Sequence, residues 1–122
     1  MYREVCETFA RYGIAVDDLA VKLHKGLFED TLPAFPASPI AFAHVDCDWY
    51  HPVKFCLSEI AKRSRVGTTI VLDDFNDWTG CRRATVEFLS SHPDYIFEDG
   101  PKVILRHTHA LNVVPAEYSR DK

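Results

Sequence analysis

The apolar positions of this chain fall into short blocks whose spacing changes from one block to the next. Over residues 2–12, Tyr2, Val5, Cys6, Phe9 and Ala10 recur at helical spacing, and Gly13 follows as a stop. Residues 19–25, LAVKLHK, alternate and predict a strand closed by Gly26. FEDTLPAFPASP reads as a short turn of helix or a loop, punctuated by Pro33, Pro36 and Pro39. Residues 40–46, IAFAHVD, predict a second, largely buried strand. Val53, Cys56, Leu57, Ile60 and Ala61 make one stripe of an amphipathic helix over 52–64, with Pro52 in its first turn. Gly67 then opens TTIVLDD, a β-branched run with the character of a buried parallel strand. Cys81, Ala84, Thr85, Phe88 and Leu89 share a face of a helix over 79–91, with Asp77 or Thr79 as its cap and Pro93 beyond its end. DYIFED and KVILRHT, separated by Asp99-Gly100-Pro101, predict a closing antiparallel hairpin.

The order α-β-(short α)-β-α-β-α-β-β predicts an α/β fold. The sheet is expected to be mostly parallel, with helices on both faces and an antiparallel C-terminal hairpin. Composition sharpens this. The 122 residues suit a single domain over 1–122, and 47% hydrophobic content supplies a core, which excludes a disordered chain. A net charge of −4 argues against nucleic acid or an anionic membrane as the partner. No apolar run approaches the roughly 18 residues of a membrane span. The N-terminal stretch MYREVCETFARYG is amphipathic, not basic and then apolar, so a secretory leader is not expected. Cys6, Cys47, Cys56 and Cys81 form no C-x-x-C pair and are read as unoxidised thiols of a cytoplasmic protein, Cys56 and Cys81 in the core.

The chemistry lies where apolar runs end in acids. Asp46 and Asp48 close one strand, and Asp73 and Asp74 close the next. In open α/β sheets ligands bind outside the carboxyl ends of the strands. If the two strands are neighbours, their ends are about 5 Å apart and the carboxylates converge. Crowded carboxylates raise one another's pKa unless a cation neutralises them. An all-oxygen ligand set favours Mg²⁺, Mn²⁺ or Ca²⁺ over zinc. The competing reading is that these acids are turn and cap residues with no ligand.

HVDCDWYHPVKFCL followed by GTTIVLDDFNDWTGCRRATVEFL, with KLHKGLFEDTLP upstream, resembles the macrocin O-methyltransferase family across residues 20–107. That family belongs to the class I S-adenosylmethionine-dependent enzymes, with a Rossmann-like sheet, and methylates sugar hydroxyls of natural-product glycosides. The resemblance implies that Asp46, Asp73 and Asp74 ligate Mg²⁺ and that Asp48 is the general base. It also implies S-adenosylmethionine as cofactor and a small-molecule glycoside as substrate; Gly26, Leu27 and Phe28 are read as adenine contacts, with Asp46 a further cofactor contact.

Other residues carry two readings each. His51 is a second base or substrate contact, or simply a helix-start residue. Trp49, Tyr50 and Trp78 wall a sugar pocket or pack in the core. Arg82 and Arg83 counter the acids, bind an acidic substrate or form a solvated face, and His44 is a satisfied core histidine or one that supports the acids from behind. Lys102, Arg106, His107 and His109 show no usable pattern.

Class I enzymes hold their methyl donor with a Gly-rich loop after the first strand and an acid after the second. Neither motif precedes residue 19, so by order the chain corresponds to the C-terminal portion of such a domain. An incomplete sheet leaves apolar edges, and a homo-oligomer is expected. Two further readings compete. One is a non-catalytic metal-binding or oligomerising remnant, and the other is a D-x-D glycosyltransferase- or phosphatase-like enzyme.

Overall fold

A computed structural model describes residues 1–17, 20–35 and 39–109. The chain divides into two compact units, Met1–Ala34 and Phe35–Lys122. In the first, the predicted N-terminal helix is present as α1 (Tyr2–Arg11). Gly13 stops it at φ 75°, where its N–H and that of Ile14 return to the Ala10 and Phe9 carbonyls at 3.0 Å. A single turn, α2 (Phe28–Thr31), is the other element of this unit. The strand expected at 19–25 is not formed: residues 20–25 carry no regular structure, and Asp18 and Leu19 lie outside the described residues. Alternation makes a strand only when a partner takes up its hydrogen bonds, and this segment pairs with none of the four sheet strands.

The second unit holds β1 (Ile40–Val45), α3 (Tyr50–Ala61), β2 (Ser64–Leu72), α4 (Thr79–Ser91), β3 (Tyr95–Glu98) and β4 (Val103–His107). The strand order is β1-β2-β4-β3. β1 and β2 are parallel, while β2–β4 and β3–β4 are antiparallel. The sheet is therefore mixed, and the expectation of a mostly parallel one does not hold. The reason is the hairpin: β4 folds back beside β2, so the antiparallel part reaches the middle of the sheet instead of remaining at its margin.

Register explains the burial. Ala43, Ile70, Leu105 and Phe97 are cross-strand partners on one face, and Val45, Leu72 and Val103 are on the next rung of that face. Val45, Ile70, Leu72, Leu105 and Val103 are buried together with Val53, Leu57 and Ile60 of α3 and Ala84, Phe88 and Leu89 of α4. The two helices pack against each other and so share that face. His44, Val71 and Ile104 occupy the other face and are partly or fully exposed within this unit. Two expectations change accordingly. The helices of this unit do not cover both faces. β1 and β2 are also not buried throughout but alternate, because only one side has a partner and β1 is an edge strand. His44 consequently points out of the core instead of into it.

The far end of the sheet is pinned by a polar relay. The Tyr95 hydroxyl is 2.5 Å from Ser64 Oγ, His107 Nδ1 is 3.2 Å from the same oxygen, and His107 Nε2 donates to Asp94 at 2.7 Å. Tyr95 also stacks on His107 with ring centroids 4.8 Å apart. This ties β2, β3 and β4 at the end opposite the acidic residues.

Candidate metal centre

The parallel pairing of Val45 with Leu72 puts the ends of β1 and β2 side by side. Asp73 extends the ladder by one bond, its N–H reaching the Val45 carbonyl at 3.0 Å. Asp46 and Asp73 therefore leave the sheet as neighbours. One carboxylate oxygen from each of Asp46, Asp73 and Asp74 lies within 4.8 Å of the other two. Among the described residues this is the group of three whose ligand atoms converge in that way.

Each acid sits in a different environment. Asp46 is exposed, Asp73 is half-buried, and Asp74 is only 7% exposed. Asp73 receives a hydrogen bond from His44 Nε2 at 3.1 Å and lies 3.4 Å from Lys102 Nζ. The His44 hydrogen bond, followed by Lys102, holds its carboxyl below the ordinary range. Asp74 has the opposite problem. Its Oδ2 is buried and has no hydrogen-bond donor, and the carboxyls of Asp48 and Asp46 stand within hydrogen-bonding reach. Acceptors facing an acceptor bond only if one of them keeps a proton. Burial first, then Asp48 and Asp46, push the Asp74 pKa up to about 6. A buried orphan oxygen among hard oxygen donors is what a hard divalent cation satisfies, so the residues present fit Mg²⁺. The neighbouring thiols do not join this set. Burial raises Cys81 to about 12, and the Cys47 side chain is turned to a hydrogen bond with Cys56 of α3.

The pH dependence has a definite sign. The folded-state pKa of Asp74 lies above its unfolded value, so the stability linked to its proton is complete below about pH 4 and is lost as pH rises through 6. In metal-free protein, Asp74→Asn is therefore expected to melt above the wild type by a margin that widens between pH 4 and 6 and then levels. The gain at pH 7.5 is about 1–3 kcal/mol. Calorimetric melts in EDTA across that range check this, and parallel pH profiles for the two proteins would count against it.

Of three neighbours of the cluster, His44 was legible as a support to the acids, while Lys102 and Asn76 were not legible as such in the sequence. His44 faces Asp73 because β1 is an edge strand. Lys102 also donates to the Asp73 carbonyl at 2.9 Å. Asn76 donates to the Gly100 carbonyl at 2.9 Å, tying the acidic loop to the hairpin turn. The last two follow from pairing: Val103 of β4 stands opposite Leu72, so residues 100–102 arrive beside Asp73. Placing the hairpin next to β2 would have been the signal.

The remaining sequence candidates are distributed differently. Asp48 stands close enough to Asp74 to raise its pKa and lies outside the converging group of three. His51 is exposed on the first turn of α3 and packs edge-on to Tyr50 at 5.0 Å, outside the converging group. Arg82 lies over Phe75 at 5.6 Å, and Arg83 lies over Tyr50 at 4.3 Å while pairing with Glu87. Gly26 and Phe28 belong to the first unit, where Gly26 stands at φ 142° against the Thr31 methyl and Phe28 is 41% exposed. α4 begins without a side-chain cap, so neither Asp77 nor Thr79 serves as one; Trp78 occupies the cap position.

Comparison with known proteins decides the family. The macrocin-O-methyltransferase (TylF) family model matches residues 2–95. The chain belongs to the macrocin O-methyltransferase family. Within it, an 8-demethyl-8-(2,3-dimethoxy-α-L-rhamnosyl)-tetracenomycin-C 4′-O-methyltransferase of Streptomyces olivaceus is 33% identical over 110 residues, covering 88% of this chain and 41% of the relative. Demethyldecarbamoylnovobiocin O-methyltransferase of Streptomyces niveus is 29% identical over 85 residues, 70% of this chain and 32% of the relative. The solved O-methyltransferase NovP superposes with a TM-score of 0.76 at 25% identity, over 88% of this chain and 45% of that one. A TDP-rhamnose 3′-O-methyltransferase of calicheamicin biosynthesis gives 0.57 at 26% identity, over 67% and 39%. The chain thus spans about two fifths of the length of the curated O-methyltransferase it matches over most of its own length.

Proposed function

We propose that this chain provides the acceptor-activating half of an S-adenosylmethionine- and Mg²⁺-dependent O-methyltransferase acting on a sugar hydroxyl of a natural-product glycoside. Its mixed sheet is then the C-terminal part of a Rossmann-like sheet. The observation that carries this is the convergence of Asp46, Asp73 and Asp74 with Asp48 turned onto Asp74. Family membership and relatives that methylate rhamnosyl groups support the acceptor class.

In this reading Asp46, Asp73 and Asp74 hold the cation. Mg²⁺, when bound, supplies positive charge that orients an acceptor hydroxyl and lowers its pKa. Asp48 takes the proton that the hydroxyl gives up, a role supported by its nearness to Asp74 and its position outside the three converging ligands. His44 and Lys102 fix the Asp73 carboxylate on both of its oxygens, and each oxygen retains a lone pair for a ligand. Asn76 keeps the acidic loop against the hairpin. S-adenosylmethionine supplies the methyl group, with Gly26, Phe28 and Asp46 as its proposed contacts. The protein is proposed to be cytoplasmic and to self-associate.

Millimolar Mg²⁺ is expected to raise the melting temperature by several degrees, the shift that about 1–2 kcal/mol of ligand linkage produces in a domain of this size. Asp73→Asn combined with Asp74→Asn is expected to abolish the response. An unchanged wild-type melting temperature overturns the metal site. Calorimetric titration with S-adenosylmethionine separates an enzyme from a non-catalytic remnant, because micromolar binding excludes the remnant.

A further inference from the structure

Two tryptophans stand in the open beside this centre. Trp49 is 70% exposed and Trp78 is 49% exposed, and their rings lie 6.4 Å apart at 31°. Core packing therefore does not explain them. Tyr50, next in sequence, shows what a structural aromatic looks like here: its hydroxyl donates to Glu87 at 2.5 Å, and Arg83 covers its ring.

The tryptophans occupy the cap positions of α3 and α4, where neither supplies a side-chain cap bond. Ser, Asp or Asn at those positions would satisfy a helix N–H and add about 1 kcal/mol. The chain forgoes that twice, at two adjacent helix starts. Gly80 brings the starts together: a Cβ there would lie 2.8 Å from the Tyr50 nitrogen. Trp49 follows Asp48 directly, and the Trp78 N–H bonds the Asp74 carbonyl at 3.0 Å. The pair is thus attached to both acidic loops. Exposed aromatic surface beside a polar catalytic group is the composition of a small-molecule site.

We propose that Trp49 and Trp78 form the platform on which the acceptor's pyranose ring lies. The apolar C–H face of the sugar packs on the indoles while its hydroxyl edge is presented to Asp48 and the cation ligands. This rests on the glycoside reading above and adds the residues that select for a deoxygenated, apolar sugar face. An aromatic face supplies contact area without a hydrogen-bond requirement, so it favours 6-deoxy and O-methylated hexoses over fully hydroxylated ones.

The chain has two tryptophans, both in this pair, so tryptophan emission excited selectively over its five tyrosines reports the platform alone. Titration with methyl α-L-rhamnopyranoside in Mg²⁺ is expected to give a saturable change in emission, and sorbitol, which lacks a ring face, is expected to give none. Trp49→Ala and Trp78→Ala should each weaken the glycoside by about tenfold, while Phe at either position stays within about threefold. All four variants should keep the Mg²⁺ melting shift. A flat titration overturns the platform, as do alanine variants that bind like wild type. Emission that shifts with protein concentration alongside dimer formation in light scattering also overturns it, by showing that a second copy covers the pair. The methyltransferase reading fails separately: a saturable glycoside response without S-adenosylmethionine binding leaves the platform standing and removes the reaction.

Discussion

On the proposed methyltransferase reading, replacing Asp48 by Asn is expected to lower kcat for methyl transfer to a glycoside acceptor by about 10²–10⁴, the usual contribution of a positioned general base. The acceptor KM changes little, because the amide keeps the shape and one hydrogen-bonding oxygen of the carboxylate. The physical ground is placement. Asp48 stands within hydrogen-bonding reach of Asp74 but outside the three acids whose oxygens converge. It therefore reaches the centre and retains its own lone pairs. The Mg²⁺ melting shift is expected to survive in Asp48→Asn and to vanish in Asp74→Asn, and this contrast separates a base from a ligand. Loss of the shift in both would place Asp48 among the ligands. Unchanged kcat would remove it from the chemistry. Removing one of three mutually repelling acids should also bring the Asp74 pKa down, so the metal-free pH dependence flattens in Asp48→Asn.

The second large effect is structural. Phe75 follows the Asp73-Asp74 pair and is fully buried, with its ring 5.5 Å from Phe97 of β3 and under the Arg82 guanidinium at 5.6 Å. It anchors the acidic loop to the core between sheet and α4. Phe75→Ala is expected to cost about 3–5 kcal/mol, the range for a buried aromatic truncated to a methyl. That is a large part of the 5–15 kcal/mol that holds an ordinary domain together. Urea unfolding followed by circular dichroism measures it. Phe75→Leu fills most of the volume and should lose about 1–2 kcal/mol while retaining the Mg²⁺ response. If alanine cost less than 1 kcal/mol, the loop would have to be held by other means, with Asn76 and its bond to Gly100 the first to examine.

Local pattern was sufficient for the elements that carry their own burial. The stripes of Val53-Cys56-Leu57-Ile60 and Cys81-Ala84-Phe88-Leu89 are α3 and α4, the turn at Asp99-Gly100-Pro101 does separate two antiparallel strands, and Cys56 and Cys81 are in the core. The identity of the acids was equally legible. Two apolar runs end in Asp46 and in Asp73-Asp74, and parallel neighbours must bring such ends together. Family character was readable from the same residues and is matched by the family model.

Partnership was not readable, because a strand's neighbours and uncovered faces are properties of the whole sheet. LAVKLHK alternates like a strand, yet its described residues, 20–25, form none. β4 lies between β2 and β3, which makes the sheet mixed and delivers Lys102 and the Gly100 carbonyl to the acidic loop. β1 is an edge, which decides between the two readings of His44, core residue or support to the acids, in favour of the hydrogen-bond partner of Asp73. The chain by itself determined which residues are acids at strand ends and which helices cover a core. Only the tertiary structure decided how deeply each acid is buried and what neutralises it. Burial and neighbouring charge depend on residues distant in sequence, and they alone make Asp73 a stable anion and leave Asp74 an unsatisfied one.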